Sequence, residues 1–349
     1  MANNTIVSLV RNVPMGAPAP SDFKVTTGPA PTKDSLKDNE LLIRTLYLSC
    51  DPYMRGRISG RTDSYVESFA PGKPITGLGV GVVEASTSAD FKEGDAVVGG
   101  VFQWETRFVT GTAGITKIPT SGGVALSNFL GVLGMPSFTA HYGFVTLCKP
   151  KAGETVLVSA AAGAVGQMVV QLAKVRGMRV IGVAGSDEKV KYVEGLGADV
   201  VFNYKTCGSL EEAIKKAAPE GLDIYFDNVG GELLDVTLKH MKPGGRVSEC
   251  GMISQYNATA ESAYHIKNLA YVVMKKLTIY GFIVSDHYST PAYTQFIEEV
   301  SGLLKEGKIK YKVDEVVGIE NGPQALLDLL EGKNFGKRII KVTDPAHRL

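Results

Sequence analysis

Val156-Leu157-Val158-Ser159-Ala160-Ala161-Ala162-Gly163-Ala164-Val165-Gly166 is the stretch that decides the fold. Its first half is a short Val- and Leu-rich run, the pattern of a strand buried on both faces of a parallel sheet. Its second half is a glycine turn, Ala161-x-Gly163-x-x-Gly166, and residues 167–174 beyond it carry apolar side chains at helical spacing. Strand, glycine turn and helix in that order are the context of a dinucleotide fingerprint. Gly163 lets backbone approach a pyrophosphate, and Gly166 lets the helix pack close to the strand. The helix N-terminus offers N–H groups and a positive dipole end to the phosphates. Ala161 departs from the fingerprint, which has glycine there. A βα turn that binds no nucleotide is the other reading of these residues.

Outward from this stretch, strand-like runs at 155–160, 179–184, 200–202, 222–227, 245–250 and 277–282 alternate with helical segments at 164–176, 187–195, 209–218 and 230–241. Such alternation implies right-handed βαβ units and a doubly wound parallel sheet. The first ~125 residues differ in texture: strand-like runs at 40–48, 79–84 and 95–100 are separated by turn residues, and Pro14, Pro18, Pro20, Pro29 and Pro31 keep the N-terminal region extended. A compact, antiparallel, barrel-like domain is expected there. Beyond about residue 290 come an amphipathic helix (294–306), a strand (311–317), a helix (322–331) and a closing strand, 336–342. That last strand has no place in a finished nucleotide sheet and is expected to return to the first domain. The expected division is therefore a β-rich domain, 1–125 with 295–349, around a nucleotide-binding domain, 126–294.

Length favours two domains, and a formal net charge of +1 argues against a polyanion-binding surface as the main task. The four cysteines, Cys50, Cys148, Cys207 and Cys250, are scattered without CxxC spacing, which suits a reducing cytoplasm. Residues 1–11 hold no apolar core of signal-peptide length, and no run approaches a membrane span. The expectation is a soluble, intracellular protein.

An NAD-binding fold places a carboxylate at the tip of its second strand, about 20 residues past the glycines, to hold the ribose hydroxyls. Here that strand ends Val183-Ala184-Gly185-Ser186. Asp187 and Glu188 fall where a helix cap and first turn belong. Lys189 lies one turn into that helix, and Tyr204 follows the next strand. A missing carboxylate beside a cation suits an adenosine 2′-phosphate, so NADP(H) is favoured over NAD(H).

An ordered series of motifs now carries a resemblance. These are Cys50-Asp51-Pro52-Tyr53-Met54-Arg55-Gly56-Arg57, Ala161-Ala162-Gly163-Ala164-Val165-Gly166, Gly185-Ser186-Asp187-Glu188-Lys189 and Phe202-Asn203-Tyr204-Lys205. Asp227-Asn228-Val229-Gly230-Gly231, residues 250–257 (Cys-Gly-Met-Ile-Ser-Gln-Tyr-Asn) and residues 332–337 (Gly-Lys-Asn-Phe-Gly-Lys) complete it. The chain resembles, over nearly its whole length, the zinc-independent branch of the medium-chain dehydrogenase/reductases. Within it the likeness is to the NADP-dependent alkenal/one oxidoreductases, a group that includes leukotriene/prostaglandin reductases, plant double-bond reductases and curcumin reductases. The resemblance implies a Rossmann doubly wound sheet plus a GroES-like β-rich barrel. It also implies homodimers joined through the nucleotide-binding domain, and NADPH-dependent reduction of the carbon–carbon double bond of α,β-unsaturated aldehydes and ketones. By similarity, Gly163, Ala164, Val165 and Gly166 meet the pyrophosphate, and Ser186, Lys189 and Tyr204 the 2′-phosphate end. Asn228, Cys250, Gly251, Met252, Ile253, Ser254 and Tyr256 line the cofactor further along, with Pro52. Phe282, Ile283 and Val284 approach the nicotinamide, and Asn334 comes from the returning C-terminal segment. Tyr53 and Tyr256 face the substrate.

A catalytic zinc needs about three Cys, His or carboxylate ligands. Cys50 stands where such a ligand might, but Gly77-Leu78-Gly79-Val80 replaces the Gly-His-Glu stretch, and His141, His240, His265, His287 and His347 show no ligand spacing. No metal is expected, and Cys50 reads as a small buried residue. An enone needs less: its conjugated carbonyl already polarises the β-carbon, leaving a developing enolate oxygen to be met by a donor and an α-carbon to be protonated. Tyr256, just past a strand end, is the candidate donor; the alternative is an aromatic wall with solvent delivering the proton. Tyr53 is open to the same two readings, chemical or packing against the nicotinamide ribose. Arg55, Arg57 and Arg61 are within reach of a phosphate by type but read as a solvated surface, Tyr264, Tyr271 and Met274 as core or pocket wall, His287 and Tyr288 as a border of the substrate mouth, and His141 as a packed or capping residue. Competing functions are a quinone reductase of the same superfamily, a metal-free carbonyl reductase, and a catalytically silent NADPH-binding protein.

Overall fold

Thr155–Val158 is a strand of four residues, all buried, as its unbroken apolar run requires. A computed structural model describes residues 3–120 and 124–343 of the chain. Residues 1–2, 121–123 and 344–349 of the expected β-rich domain, with His347, lie outside the described residues.

By contact the chain divides into two units: Met1–Leu130 with Val313–Asn334 and Arg338–Leu349, and Gly131–Lys312 with Phe335–Lys337. In the first, β1 (Asn3–Leu9) and β2 (Phe23–Pro29) form an antiparallel pair. β3 (Glu40–Ser49), β4 (Thr76–Ser86), β5 (Ala96–Gln103), β6 (Arg107–Gly111) and β7 (Ile115–Lys117) belong to a larger antiparallel sheet, with a one-and-a-half-turn helix α1 (Met54–Ile58) after β3. Trp104, Phe102, Phe108 and the strand residues Leu41, Ile43 and Val83 fill its core.

The second unit carries β8 (Thr155–Val158), β9 (Arg179–Ala184), β10 (Val200–Asn203), β11 (Leu222–Asp227), β12 (Met241–Glu249) and β13 (Thr278–Gly281). They lie in the order β10-β9-β8-β11-β12-β13, every pair parallel. Strand order reverses at β8, the point where open α/β sheets bind ligands at their carboxyl edge. Its helices include α2 (Met135–Ala140), α3 (Gly166–Val175), α4 (Asp187–Gly195), α5 (Leu210–Ala217), α6 (Gly231–His240), α7 (Ala270–Met274) and α8 (Pro291–Lys305). The doubly wound sheet is the architecture expected from the alternating pattern.

Residues 295–312, assigned from the sequence to the β-rich domain, fall in this second unit. Phe296, Val300 and Leu303 of α8 are buried in one core with Val156, Val158 and the inner face of α3, which outweighs the change of texture at residue 290. Residues 126–130 shift the other way. The chain then enters β14 (Val313–Val317), α9 (Gly322–Leu330) and β15 (Lys337–Lys341). β15 pairs antiparallel with β3 through Ile339–Ser49 and Ile340–Leu48, so the closing strand does return to the β-rich sheet.

Candidate active site

β8 runs into the glycine turn through Ala160, whose φ is +45°. The strained backbone therefore sits one residue before the fingerprint's first position. Ala161 is ordinary in conformation, fully buried, and donates its N–H to Val183 O at 2.9 Å. This explains why alanine is accepted there. Gly166 has no such latitude: a Cβ would overlap Ala160 O. At Gly163 a Cβ would meet only that same oxygen, at 3.1 Å, so its outer face is open. Ala164 and Val165 complete the turn, and α3 starts at Gly166; the Gln167 and Met168 amides are taken by Gly163 O and Val165 O, both at 3.0 Å, so the amides of Ala164, Val165 and Gly166 are the ones that can face a phosphate. This cradle fits a pyrophosphate.

At the neighbouring strand end Ser186 caps α4, its hydroxyl accepting the Lys189 N–H at 3.3 Å. Lys189 is half-buried. Tyr204 donates its N–H to Ala184 O at 3.0 Å and lays its ring beside Gly185, where a Cβ would come within 2.9 Å of it. Asn203 Nδ2 donates to Asp187 Oδ1 at 2.8 Å, so that carboxylate is committed to the helix start and not to a ribose. Lys205 Nζ lies 5.8 Å from the Tyr204 ring centre and adds a cation to the corner. Polar caps, an aromatic face and two lysines suit a phosphate.

The carboxyl ends of β11 and β12 form the next stretch. Asn228 donates its backbone N–H to Ser159 Oγ at 2.7 Å and its Nδ2 to Ser159 O at 2.8 Å. Cys250 and Gly251 both donate to Asp227 O, at 2.9 and 3.2 Å. Ile253 N–H reaches Asn228 O, and Ser254 is tied twice to Val229 O, by its N–H at 3.1 Å and its hydroxyl at 2.6 Å. Burial and the nearby Glu249 and Asp227 push the Cys250 thiol up to about 12, so it stays a neutral packing group. Tyr256 folds back over this loop: its hydroxyl accepts the Met252 N–H at 3.3 Å and lies 3.0 Å from where a Gly251 Cβ would be. Accepting from backbone holds the phenol oxygen over the loop.

Past β13, Phe282 and Ile283 are half-buried and Val284 is buried. The Phe282 ring packs on residues 141–147, a π-helical segment that the sequence reading missed. A Cβ on Gly143 would stand 2.6 Å from Phe282 Cζ, so only glycine admits the ring. Tyr142 in the same turn stacks on His287 at 3.9 Å, and Tyr288 meets Phe138 and Tyr293. His141 is buried as expected, with Nε2 3.0 Å from Glu299, which Arg176 also clasps. Tyr264 hydrogen-bonds Asp235 at 2.9 Å, whereas Met274 is exposed, against the reading of it as core or pocket wall.

In the β-rich unit Pro52 and Tyr53 stand between β3 and α1, both half-buried. Burial first, then Asp51, holds the Tyr53 phenol protonated far above its ordinary range, with Arg57 pulling the other way. Gly77 leaves the space beside it: a Cβ there would be 3.9 Å from the Tyr53 hydroxyl. Arg55 and Arg57 are not the solvated surface expected of them. Arg55 is buried and reaches Gly16 O at 2.7 Å, and Arg57 bonds Glu67 O, Thr76 O and Thr76 Oγ1 while stacking on Phe69; Arg61 alone is exposed, on Asp63. Asn334 is half-buried between α9 and β15. Two residues on, Gly336 donates its N–H to Ala162 O at 3.1 Å and bridges to Gly163.

Residues 164–299 match the zinc-binding dehydrogenase model, and residues 7–118 the N-terminal domain of oxidoreductase. A 2-alkenal reductase (NADP(+)-dependent) of Nicotiana tabacum is 44% identical, over 96% of this chain and 96% of its own. Prostaglandin reductase 1 of Bos taurus is 41% identical over 94% and 96%. The structure of CurA from Vibrio vulnificus in complex with NADPH shares 37% identity, with a TM-score of 0.90 over 98% of this chain and 100% of that one. This chain belongs to the medium-chain dehydrogenase/reductases, in their alkenal/one oxidoreductase group.

The zinc in the name of one matching model does not suit this alkenal/one oxidoreductase. Cys50 is buried, with its N–H on Arg338 O, and a side chain at Gly79 would overlap the Phe102 ring. Among the described residues no three His, Cys, Asp or Glu side chains gather as a metal would need.

Proposed function

We propose that this chain reduces the carbon–carbon double bond of α,β-unsaturated aldehydes and ketones with NADPH. The observation that carries the reading is the Tyr256 phenol, set by the Met252 N–H at the carboxyl edge of a parallel sheet that also bears a phosphate cradle. NADPH, when bound, supplies a hydride. The turn at Gly163, Ala164, Val165 and Gly166 receives its pyrophosphate through backbone amides, and Ser186, Lys189 and Tyr204 its 2′-phosphate. Asn228 and the loop from Cys250 to Ser254 would line the cofactor further along, and Phe282, Ile283 and Val284 would approach the nicotinamide; Pro52 and Asn334 would complete the cofactor contacts. Tyr256 donates to the oxygen on which negative charge develops as the β-carbon is reduced; a phenol of ordinary pKa about 10 is protonated at neutral pH and suits that task. Tyr53, kept neutral by its surroundings, lines the substrate side.

The test follows loss of the reduced-nicotinamide absorbance with a medium-chain 2-alkenal, an aryl enone, a quinone and a saturated aldehyde, each with NADPH and then NADH. Turnover of both enones with NADPH, giving saturated carbonyl products, is the expected result. Turnover of the quinone alone assigns a quinone reductase, and silence with NADPH still bound assigns a binding protein.

The same reading makes the β-rich unit a GroES-like barrel and the protein a cytoplasmic homodimer. Supporting the compartment, no disulfide joins Cys50, Cys148, Cys207 or Cys250. Among the described residues no helix is long and apolar enough to cross a membrane. Supporting the dimer, α7 and the edge strand β13 expose Leu269, Val273, Met274 and Ile279.

A further inference from the structure

Two acids stand side by side behind the cofactor-facing loop. Asp227 ends β11 and Glu249 ends β12, directly opposite in the parallel register. Asp227 is fully buried. Its Oδ1 accepts four bonds: from Tyr225 hydroxyl at 2.6 Å, Ser159 Oγ at 3.0 Å, Val229 N at 2.8 Å and Gly230 N at 3.0 Å. Its Oδ2 and both oxygens of Glu249 are buried and meet no donor among the described residues. Three buried acceptors without a donor are untenable as two carboxylates; one proton held between Asp227 Oδ2 and a Glu249 oxygen satisfies two of the three and removes one of the two charges.

We propose that Asp227 and Glu249 form a one-proton acid pair that positions the Asn228–Gly230 turn and links NADP(H) affinity to proton binding. The pair acts through other groups. Asp227 fixes the Ser159 hydroxyl, Ser159 fixes Asn228, and the Asp227 carbonyl fixes Cys250 and Gly251. While the proton is present, the two carboxyl groups attract and the strand ends stay together. When it leaves, two adjacent negative charges repel, Glu249 turns toward water, and the turn loses its anchor. The same charges oppose a cofactor that is itself an anion.

Burial, and after it Asp227, push the Glu249 carboxyl up to about 8; burial likewise raises Asp227. The other titratable groups acting on the pair are the Tyr225 phenol on β11 and the Cys250 thiol just past β12, both raised and neutral. From β13 the residue opposite Glu249 is Gly281, and the π-helical segment reaches β12 with Gly143 against Ser248, so neither position brings a charged side chain. By linkage, a pair that needs its proton for binding takes one up when the cofactor binds.

This inference rests on the NADPH reading, and its experiment separates the two. Isothermal calorimetry of NADPH binding to the intact protein, in buffers of different ionisation enthalpy, counts the protons taken up near pH 8, and a titration from pH 6.5 to 9.5 follows Kd. The wild type is expected to take up as much as about half a proton near pH 8, where the free pair is half protonated, and its Kd to weaken about five- to tenfold over that range. Glu249→Gln, which donates to Asp227 Oδ2 at every pH, is expected to lose the uptake and flatten the Kd profile. A wild type that binds with no proton uptake overturns the pair without any variant, and equal uptake in E249Q moves it elsewhere and overturns it too. Absence of NADPH binding at every pH instead overturns the functional reading. A role in stability alone would shift the unfolding temperature of E249Q and leave the slope of Kd against pH as in the wild type.

Discussion

Lys189 and Tyr256 are where the functional reading is most exposed to test. Lys189 lies in the first turn of a helix whose N-cap, Ser186, is ordered by the Lys189 amide itself. Removing its side chain leaves that cap intact, so Lys189→Ala tests the charge alone. It is expected to weaken NADPH about 10- to 100-fold, the range of a charged hydrogen bond, and to leave NADH nearly unchanged. Equal losses for both cofactors would remove the 2′-phosphate assignment. Tyr256→Phe keeps the ring over Gly251 and deletes the donor, and about a 100-fold loss of kcat with NADPH Kd unchanged is expected. Full activity would make Tyr256 a wall. These two residues were legible in the sequence because each belongs to a local motif beside a strand end. Asp227 and Glu249 were not: the acid in Asp227-Asn228-Val229 looks like a turn residue, and only strand register brings the second acid beside it. Arg55 and Arg57 misled for the same reason, since burial of an arginine depends on distant carbonyls that chain order does not disclose.

Elements with a strong period were read nearly to the residue: β9, β11 and α4 begin and end where the pattern places them. Failures have local causes. The register of β12 slips between Leu222–Met241 and Ile224–Arg246, so Pro243-Gly244-Gly245 sits inside a strand that its turn residues hid. The π-helical turn at 141–147 has no sequence period of its own. It nonetheless positions Phe282. Gly143→Ala is expected to displace that ring and to lower kcat more than it weakens NADPH, read from single-turnover rates beside Kd; unchanged rates would show that Phe282 does not position the nicotinamide. At the turn between β8 and α3, Gly166→Ala drives a methyl into Ala160 O. A cost of about 1–3 kcal/mol in stability is expected, together with weaker NADPH binding. Unchanged unfolding by urea would mean the turn relaxes freely.

Two properties belong to the whole molecule. One is its response to pH. Glu249 keeps its proton in the folded protein up to about pH 8, against an ordinary value near 4.5. Its folded value is raised, so the stability it contributes is full below about pH 4.5 and is lost as pH rises toward 8, because the unfolded chain gives the proton up first. Wild-type Tm is therefore expected to fall relative to E249Q between pH 5.5 and 8.5, and parallel slopes would deny the acid a folded-state proton. The other is assembly. The nucleotide sheet ends in β13, an edge whose side chains are largely exposed, and the adjoining α7 leaves Leu269, Val273 and Met274 at 57%, 81% and 70% exposure. Open edges and apolar patches of this kind are covered in stable proteins, and a two-fold axis lets one copy cover the other with the same surface. Leu269→Lys with Val273→Lys is expected to convert a dimer to a folded monomer in sedimentation equilibrium at micromolar concentration, with unchanged circular dichroism. A variant that remains dimeric places the interface on another face, and a monomeric wild type removes the dimer.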